Sequence, residues 1–181
     1  MKALVTYYSQ TGNTRKLAHA IFDGIAFVEK EISTVQDAKH LEKYDLFFVG
    51  FPVHSHSIPA PAEKFLKKIP DGKKIAFFAT HGSLRGGELA ITAFYNALSL
   101  ARKKRVLGTF GCRGKVKPSL TEKLMKNPQD KQWALEAQSA IHHPDEHDME
   151  DAARWVQEAL RREPGWEAAQ TILDWATAQA E

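Results

Sequence analysis

Short, continuous apolar stretches recur along the chain, separated by segments with helical periodicity. Four of them cover residues 3–8, 46–51, 75–80 and 106–110, and such continuous apolarity is typical of strands buried on both faces. A fifth stretch, residues 28–34, alternates apolar and polar positions in the manner of a half-exposed edge strand. The pattern therefore predicts five strands.

Apolar residues in the intervening segments recur near helical spacing. The three sets are Leu17, Ile21 and Ile25; Phe65, Leu66 and Ile69; and Leu89, Ala93, Ala97 and Leu100. Alternation of strands and helices predicts right-handed βαβ units and therefore an α/β fold, a parallel sheet covered by helices on both faces.

Residues 111–147 interrupt this alternation and are interpreted as a long ordered insertion. The segment Ser119-Leu-Thr-Glu122 has the form of a capping box for a short helix ending near Asn127-Pro128, and residues 131–141 are compatible with another helix. A proline and two acids in residues 143–146 then predict a first helical turn. This helix would be the last one of the core. Its apolar face would carry Met149, Ala152, Val156 and Leu160.

The chain divides into one domain, residues 1–163 with the 111–147 insertion, and a C-terminal helical extension, residues 164–181. Pro164 separates the two, and the extension's apolar stripe consists of Trp166, Ala169, Leu173 and Ala176. This stripe would cover the insertion, pair with a second copy in a homo-oligomer, or bind a redox partner. The tryptophans at positions 133, 155, 166 and 175 fall at helical spacing, which favours packing over docking.

Composition places the chain among soluble globular proteins, because 43% of its 181 residues are hydrophobic and 26% charged. No apolar stretch approaches a membrane span and no secretion signal is evident, so we expect a cytoplasmic protein. Residues 1–111 hold 16 Lys and Arg against 9 Asp and Glu, without the clustering expected of a nucleic-acid groove. The single cysteine, Cys112, excludes an intramolecular disulfide and is interpreted as a small buried residue.

The first strand leads into a glycine turn and then a helix, an arrangement that favours a phosphate at the first helical amides. Its hydroxyl groups can donate further hydrogen bonds, and its glycine permits close backbone approach. The turn has neither the lysine of a nucleotide triphosphatase loop nor a dinucleotide fingerprint, so it suits a phosphate monoester that is held and not transferred. The alternative is a simple helix cap by Thr11 or Asn13. The residues are Ser9, Gln10, Thr11, Gly12, Asn13 and Thr14.

This hexapeptide resembles the [ST]-x-T-G-x-T phosphate loop of flavodoxins, which binds the phosphate of FMN. The resemblance extends over the strand and helix order of residues 1–110 and resumes at 145–162. It implies a flavodoxin-like three-layer sandwich, strand order 2-1-3-4-5, with FMN at the ends of strands 1, 3 and 4. Two further loops, residues 52–59 and 80–87, would then hold the isoalloxazine ring. The ring-binding candidates are Pro52, Val53, His54, Ser55 and His56 in the first loop, and Thr80, His81, Gly82, Ser83, Leu84, Arg85 and Gly86 in the second.

The chain departs from small electron-carrier flavodoxins, which are typically acidic and usually stack aromatic side chains on the flavin. Its two ring loops offer three histidines and Arg85 instead, so the ring is expected to be more open or to be covered by something else. A nearby Arg85 or protonated histidine would stabilise a reduced, anionic flavin and raise its potential. A metal site is disfavoured because His54 and His56 lack a convincing third ligand. Arg113, Lys115 and Lys117 would line the rim of the site, contact an anionic partner, or form a solvated basic edge.

The resemblance implies an FMN-binding protein that transfers electrons to or from a redox partner enzyme. No side chain is expected to act as nucleophile or general base, because the cofactor supplies the chemistry. One alternative is an FMN-dependent NAD(P)H:acceptor oxidoreductase of the quinone reductase type, with His81 or Arg85 orienting the substrate. Another is a binding or sensory module that keeps the fold without the flavin.

Overall fold

The computed structural model describes residues 1–84 and 87–162, and these form one five-stranded parallel sheet with helices on both faces. The sheet order is β2-β1-β3-β4-β5, with every neighbouring pair parallel. This confirms the predicted fold class and strand order, including residues 28–34 as an edge strand. The strands are β1 Lys2–Tyr7, β2 Glu29–Thr34, β3 Leu46–Pro52, β4 Lys74–His81 and β5 Arg105–Arg113.

Helices connect the strands and fill the insertion. They are α1 Asn13–Gly24, α2 Ala60–Leu66, α3 Glu88–Leu100, α4 Pro118–Met125, α5 Lys131–Gln138 and α6 Glu146–Arg161. None of the helices in the described ranges is long and apolar enough to cross a membrane. The predicted C-terminal helix and its two tryptophans lie outside the described residues.

Successive residues of the central strands supply two separate cores, because side chains alternate between the faces of a sheet. Val5 and Phe48 belong to the core under α1 and α6, whereas their neighbours Leu4 and Phe47 belong to the core under α2 and α3. These strands are buried on both faces, which explains their continuous apolar sequence.

Trp155 of α6 confirms the packing expected of that tryptophan. Its ring lies 6.0 Å from Phe48 and 5.5 Å from Phe110, centroid to centroid. Gly24 at the end of α1 allows α6 to approach closely, since a Cβ there would lie 2.9 Å from the Ala153 Cα. The last helix therefore closes one face of the sheet.

The insertion is closed at its base. The amide of Lys115 donates to the carbonyl of His143 at 2.8 Å, which joins the two ends of the segment. The Arg113 guanidinium donates to Ser139 Oγ at 2.7 Å and to the Glu136 carbonyl at 2.6 Å. Arg113 thus fastens α5 to the end of β5, whereas Lys115 is exposed as expected of a solvated edge.

Two predicted helix starts were wrong. The α4 helix begins at Pro118 after Lys117, and no side chain caps it, because a proline with fixed φ and no N–H fits the first helical position and displaces Ser119 from the cap. A capping box instead opens α6, where Asp145 and Asp148 each accept from the other's amide at 3.0 Å. Pro144 therefore precedes the cap and does not lie in the first turn.

Candidate cofactor site

The carboxyl ends of β1, β3 and β4 meet at one edge of the sheet, and the three candidate loops lie there together. Backbone bonds tie them to their neighbours: the Val53 amide donates to the Thr80 carbonyl at 2.9 Å, and the Gly114 amide donates to the His81 carbonyl at 2.8 Å. In open α/β sheets this edge is the usual location of a ligand.

The turn after β1 leaves the start of α1 uncapped. Gly12 occupies the cap position with φ of 92°, a left-handed conformation that favours glycine, and no side chain accepts from the first helical amides. The Asn13 side chain donates to the Lys115 carbonyl at 2.9 Å, and Ser9 Oγ accepts from the Gly12 amide at 3.2 Å. The alternative of a helix cap by Thr11 or Asn13 is therefore not observed.

A pocket of about 420 Å³ adjoins this uncapped helix start. One cation lines it, Arg15, which sequence reasoning missed because it lies one residue past the motif. A positive charge in the first turn of a helix is unfavourable because the N-terminal end of the helix dipole is itself positive, unless an anion lies between the two. The presence of Arg15 in the predicted first turn was therefore a sequence signal for a bound anion. The pocket residues are Tyr7, Ser9, Gln10, Thr11, Gly12, Arg15 and Thr34.

Thr14 is placed differently from the other hydroxyl residues of the turn. It is 1% exposed, and its Oγ1 shares a hydrogen bond of 2.9 Å with Oγ1 of Thr80. Both hydroxyls are thus engaged with each other between α1 and β4. Thr14 joins the turn to the sheet in this arrangement and is absent from the lining of the pocket.

A larger cavity of about 850 Å³ lies over the ends of β3 and β4. One part of its wall comes from the two predicted ring loops, and the other part comes from α4 and α5 of the insertion. Sequence reasoning missed the insertion residues, because their contact with the loops depends on the tertiary fold. From the loops and α3 the lining comprises Val53, His54, Ser55, His56, His81, Gly82, Ser83, Leu84, Gly87 and Glu88; from the insertion it comprises Leu120, Leu124, Asp130, Trp133 and Glu136.

Not every predicted ring residue lines this cavity. Pro52 pairs with Thr80 inside the sheet, and Arg85 and Gly86 lie outside the described residues. His81 lines the cavity while being only 4% exposed, and its Nδ1 lies 3.1 Å from both the carbonyl and the hydroxyl oxygen of Ser83. Ser83 therefore fixes the orientation of the imidazole.

The loop after β3 makes a tight, strained turn at the cavity. Ser55 and His56 have φ of 46° and 64°, and His54 and Ser57 exchange backbone hydrogen bonds of 2.8 and 3.0 Å. Left-handed conformations of non-glycine residues cost free energy and concentrate at binding sites. The turn holds His54 and His56 at the cavity mouth.

Partial removal of water lowers the pKa of His54, which favours a neutral imidazole at neutral pH. Among the described lining residues the charged groups are the carboxylates of Glu88, Asp130 and Glu136, and no Lys or Arg is present. The positive surroundings expected from the sequence rested on Arg85 or a protonated histidine. Arg85 lies outside the described residues, so this expectation stays a prediction.

A parallel sheet in the order 2-1-3-4-5, with an uncapped glycine turn and two further loops at its carboxyl edge, is the arrangement of a flavodoxin-type α/β protein. The chain matches the flavodoxin domain over residues 4–157 and belongs to the flavodoxin family. It is 30% identical to the flavodoxin-like domain-containing protein BilS of Clostridioides difficile over 172 residues, which is 88% of this chain and 97% of that protein.

Solved structures agree on the fold. A short-chain flavodoxin associated with a bacterial microcompartment superposes with a TM-score of 0.62 at 15% identity, covering 89% of this chain and 97% of that one. A flavoprotein from Lactobacillus acidophilus, solved in complex with FMN, has a TM-score of 0.51 at 21% identity and covers 61% of this chain and 92% of its own.

Proposed function

We propose that the protein binds FMN at the carboxyl edge of its sheet and transfers electrons to or from a redox partner protein. Two cavities at this edge carry the proposal. One adjoins an uncapped helix start, and the larger one is lined by the two ring loops and the insertion. A flavin mononucleotide has matching parts, a phosphate monoester and a broad planar ring.

The residues of the smaller pocket fit a phosphate. The free amides at the start of α1 point to an anion, and Arg15 adds a positive charge at the same pocket. Hydroxyl groups of Ser9 and Thr11 supply further donors. We expect Thr11 and Arg15 to bind the phosphate, with Thr14 holding the turn against Thr80.

The larger cavity fits the ring. Its lining combines apolar side chains with a small number of polar groups, as ligand sites usually do. When bound, FMN would supply the electron-transfer chemistry, and the protein would bind the ring, orient it and set its electrostatic surroundings. The family membership and the FMN complex of the Lactobacillus flavoprotein support this assignment.

The experiment is a titration of the apoprotein with FMN, followed by visible absorbance and flavin fluorescence. We expect a bound, spectrally shifted flavin, and a Kd weakened roughly tenfold to 150-fold by Thr11→Ala or Arg15→Ala, because hydrogen bonds to a charged group contribute about 1.5–3 kcal/mol. Thr109→Ala is the matched control, since Thr109 is exposed on β5 and lines neither pocket. A colourless protein that takes up no FMN would refute the proposal and favour a flavin-free binding module.

A second candidate is an FMN-dependent NAD(P)H:acceptor oxidoreductase. The size of the cavity favours it, because about 850 Å³ falls in the range of sites that hold whole small-molecule ligands. In that case His81, oriented by Ser83, would position the acceptor. Steady turnover of NAD(P)H with a small quinone and no added protein would support the enzyme, and its absence would leave the electron carrier.

A further inference from the structure

We infer that Trp133 of the insertion is a flavin-binding residue. The two ring loops lack aromatic residues that could contact the flavin ring, and α5 supplies that contact through Trp133. This deepens the proposed function and rests on FMN binding. The loops themselves provide three histidines and no aromatic hydrocarbon ring to the described cavity lining, whereas Trp133 of α5 lines the same cavity.

The insertion is packed directly onto the loop after β4. A Cβ built on Gly82 would lie 2.5 Å from Val116 Cγ2, 3.5 Å from Ala137 Cβ and 3.6 Å from Trp133 Cζ2. The close approach is that of Val116, whereas the indole stands at ordinary van der Waals distance from a side chain placed at position 82. Val116 and Trp133 thus both pack beside the ring loop, with the indole next to Gly82 at the edge of the cavity.

The indole meets the cavity through its carbon surface. Trp133 Nε1 is buried and has no hydrogen-bond partner among the described residues, so the N–H does not face the open cavity. The side chain as a whole is half-buried and lines the cavity. Its apolar surface suits a flat aromatic ring.

The helix that carries Trp133 is anchored near its C-terminal end. Arg113 donates to the Glu136 carbonyl of α5 and to Ser139, the residue directly after the helix, and Ala134 and Ala137 of α5 are buried. The helix is thus fixed to β5, a strand of the core, so the tryptophan is presented by a supported element.

The test compares Trp133→Phe and Trp133→Leu with the wild-type protein, using the Kd for FMN and the fluorescence of the bound flavin. Aromatic contacts contribute about 0.5–1.5 kcal/mol, so Trp133→Leu should weaken the Kd about threefold to tenfold. Indole contact quenches flavin emission, so both variants should emit more strongly when saturated. Trp133→Phe keeps an aromatic ring and should weaken the Kd less than Trp133→Leu.

The matched control is Trp155→Phe, which changes a tryptophan packed between Phe48 and Phe110 and outside the cavity. It should leave both readouts at their wild-type values. If the wild type binds FMN and the two Trp133 variants match it in Kd and in emission, the inference is wrong while FMN binding stands. Equal changes in the Trp155 variant would also overturn it. Failure of the wild type to bind FMN would overturn both proposals together.

Discussion

Replacing Gly82 with alanine should loosen the insertion from the ring loop. The new Cβ would lie 2.5 Å from Val116 Cγ2, and ordinary contacts begin at 3.4 Å, so the valine methyl must retreat by about 0.9 Å. Gly82 does not have a positive φ, so the backbone accepts alanine and the effect is steric. Overpacking of this size costs about 1–3 kcal/mol in the free energy of unfolding.

A double-mutant cycle isolates that contact. Val116→Ala alone removes two methyl groups from a half-buried side chain and should cost about 1 kcal/mol. It also removes the atom that meets the new Cβ, so Gly82→Ala should cost almost nothing in the Val116→Ala background. Urea unfolding of the four proteins measures the coupling, which should equal most of the cost of Gly82→Ala alone. Additive costs, within about 0.5 kcal/mol, would refute the packing of Val116 on Gly82.

Three further substitutions test separate parts of the fold. Thr14→Val should lower the free energy of unfolding in urea by about 1–3 kcal/mol, because it leaves the buried hydroxyl of Thr80 without a hydrogen-bond partner. Adding Thr80→Val should recover part of the lost stability. The Asp148 amide lowers the pKa of Asp145 below 3.8, so this cap stabilises the protein above about pH 4 and loses its effect as the pH falls; the difference in Tm between Asp145→Ala and wild type should shrink in acid. Lys2, followed by Tyr44, lowers the pKa of Glu31 from 4.5 to about 2, so Glu31→Gln should lower Tm at neutral pH and match wild type near pH 2.

The sheet could be predicted from the sequence because each central strand is buried on both faces, and burial on both faces leaves a continuous apolar stretch such as residues 46–51. The edge strand β2 was recognisable because its sequence is more polar than that of the central strands. It lies at the end of the sheet, and all of its residues are exposed or partly buried. Local sequence carries this information because strand and helix periods are local properties.

The cover of the larger cavity could not be predicted, because it depends on contacts between distant segments. Gly82 and Trp133 are 51 positions apart and meet only after the insertion folds back over β4. The sequence did indicate that the ring loops lacked aromatic residues, but it did not indicate what would cover the site. The exact start of α4 was also predicted wrongly. The expected capping box at Ser119 did not form because Pro118 begins the helix one residue earlier.

The two ends of the insertion lie side by side, so the segment could be exchanged or removed as a unit. Because the Lys115 amide meets the His143 carbonyl at 2.8 Å, residues 116–142 leave and re-enter the sheet edge at one point, and a short turn can replace them without separating β5 from α6. Grafting or excision at this point would change how the site is enclosed while the sheet remains the same. A change in the length or sequence of this one segment could therefore alter which molecules reach the site. The five strands of the sheet would not need to change.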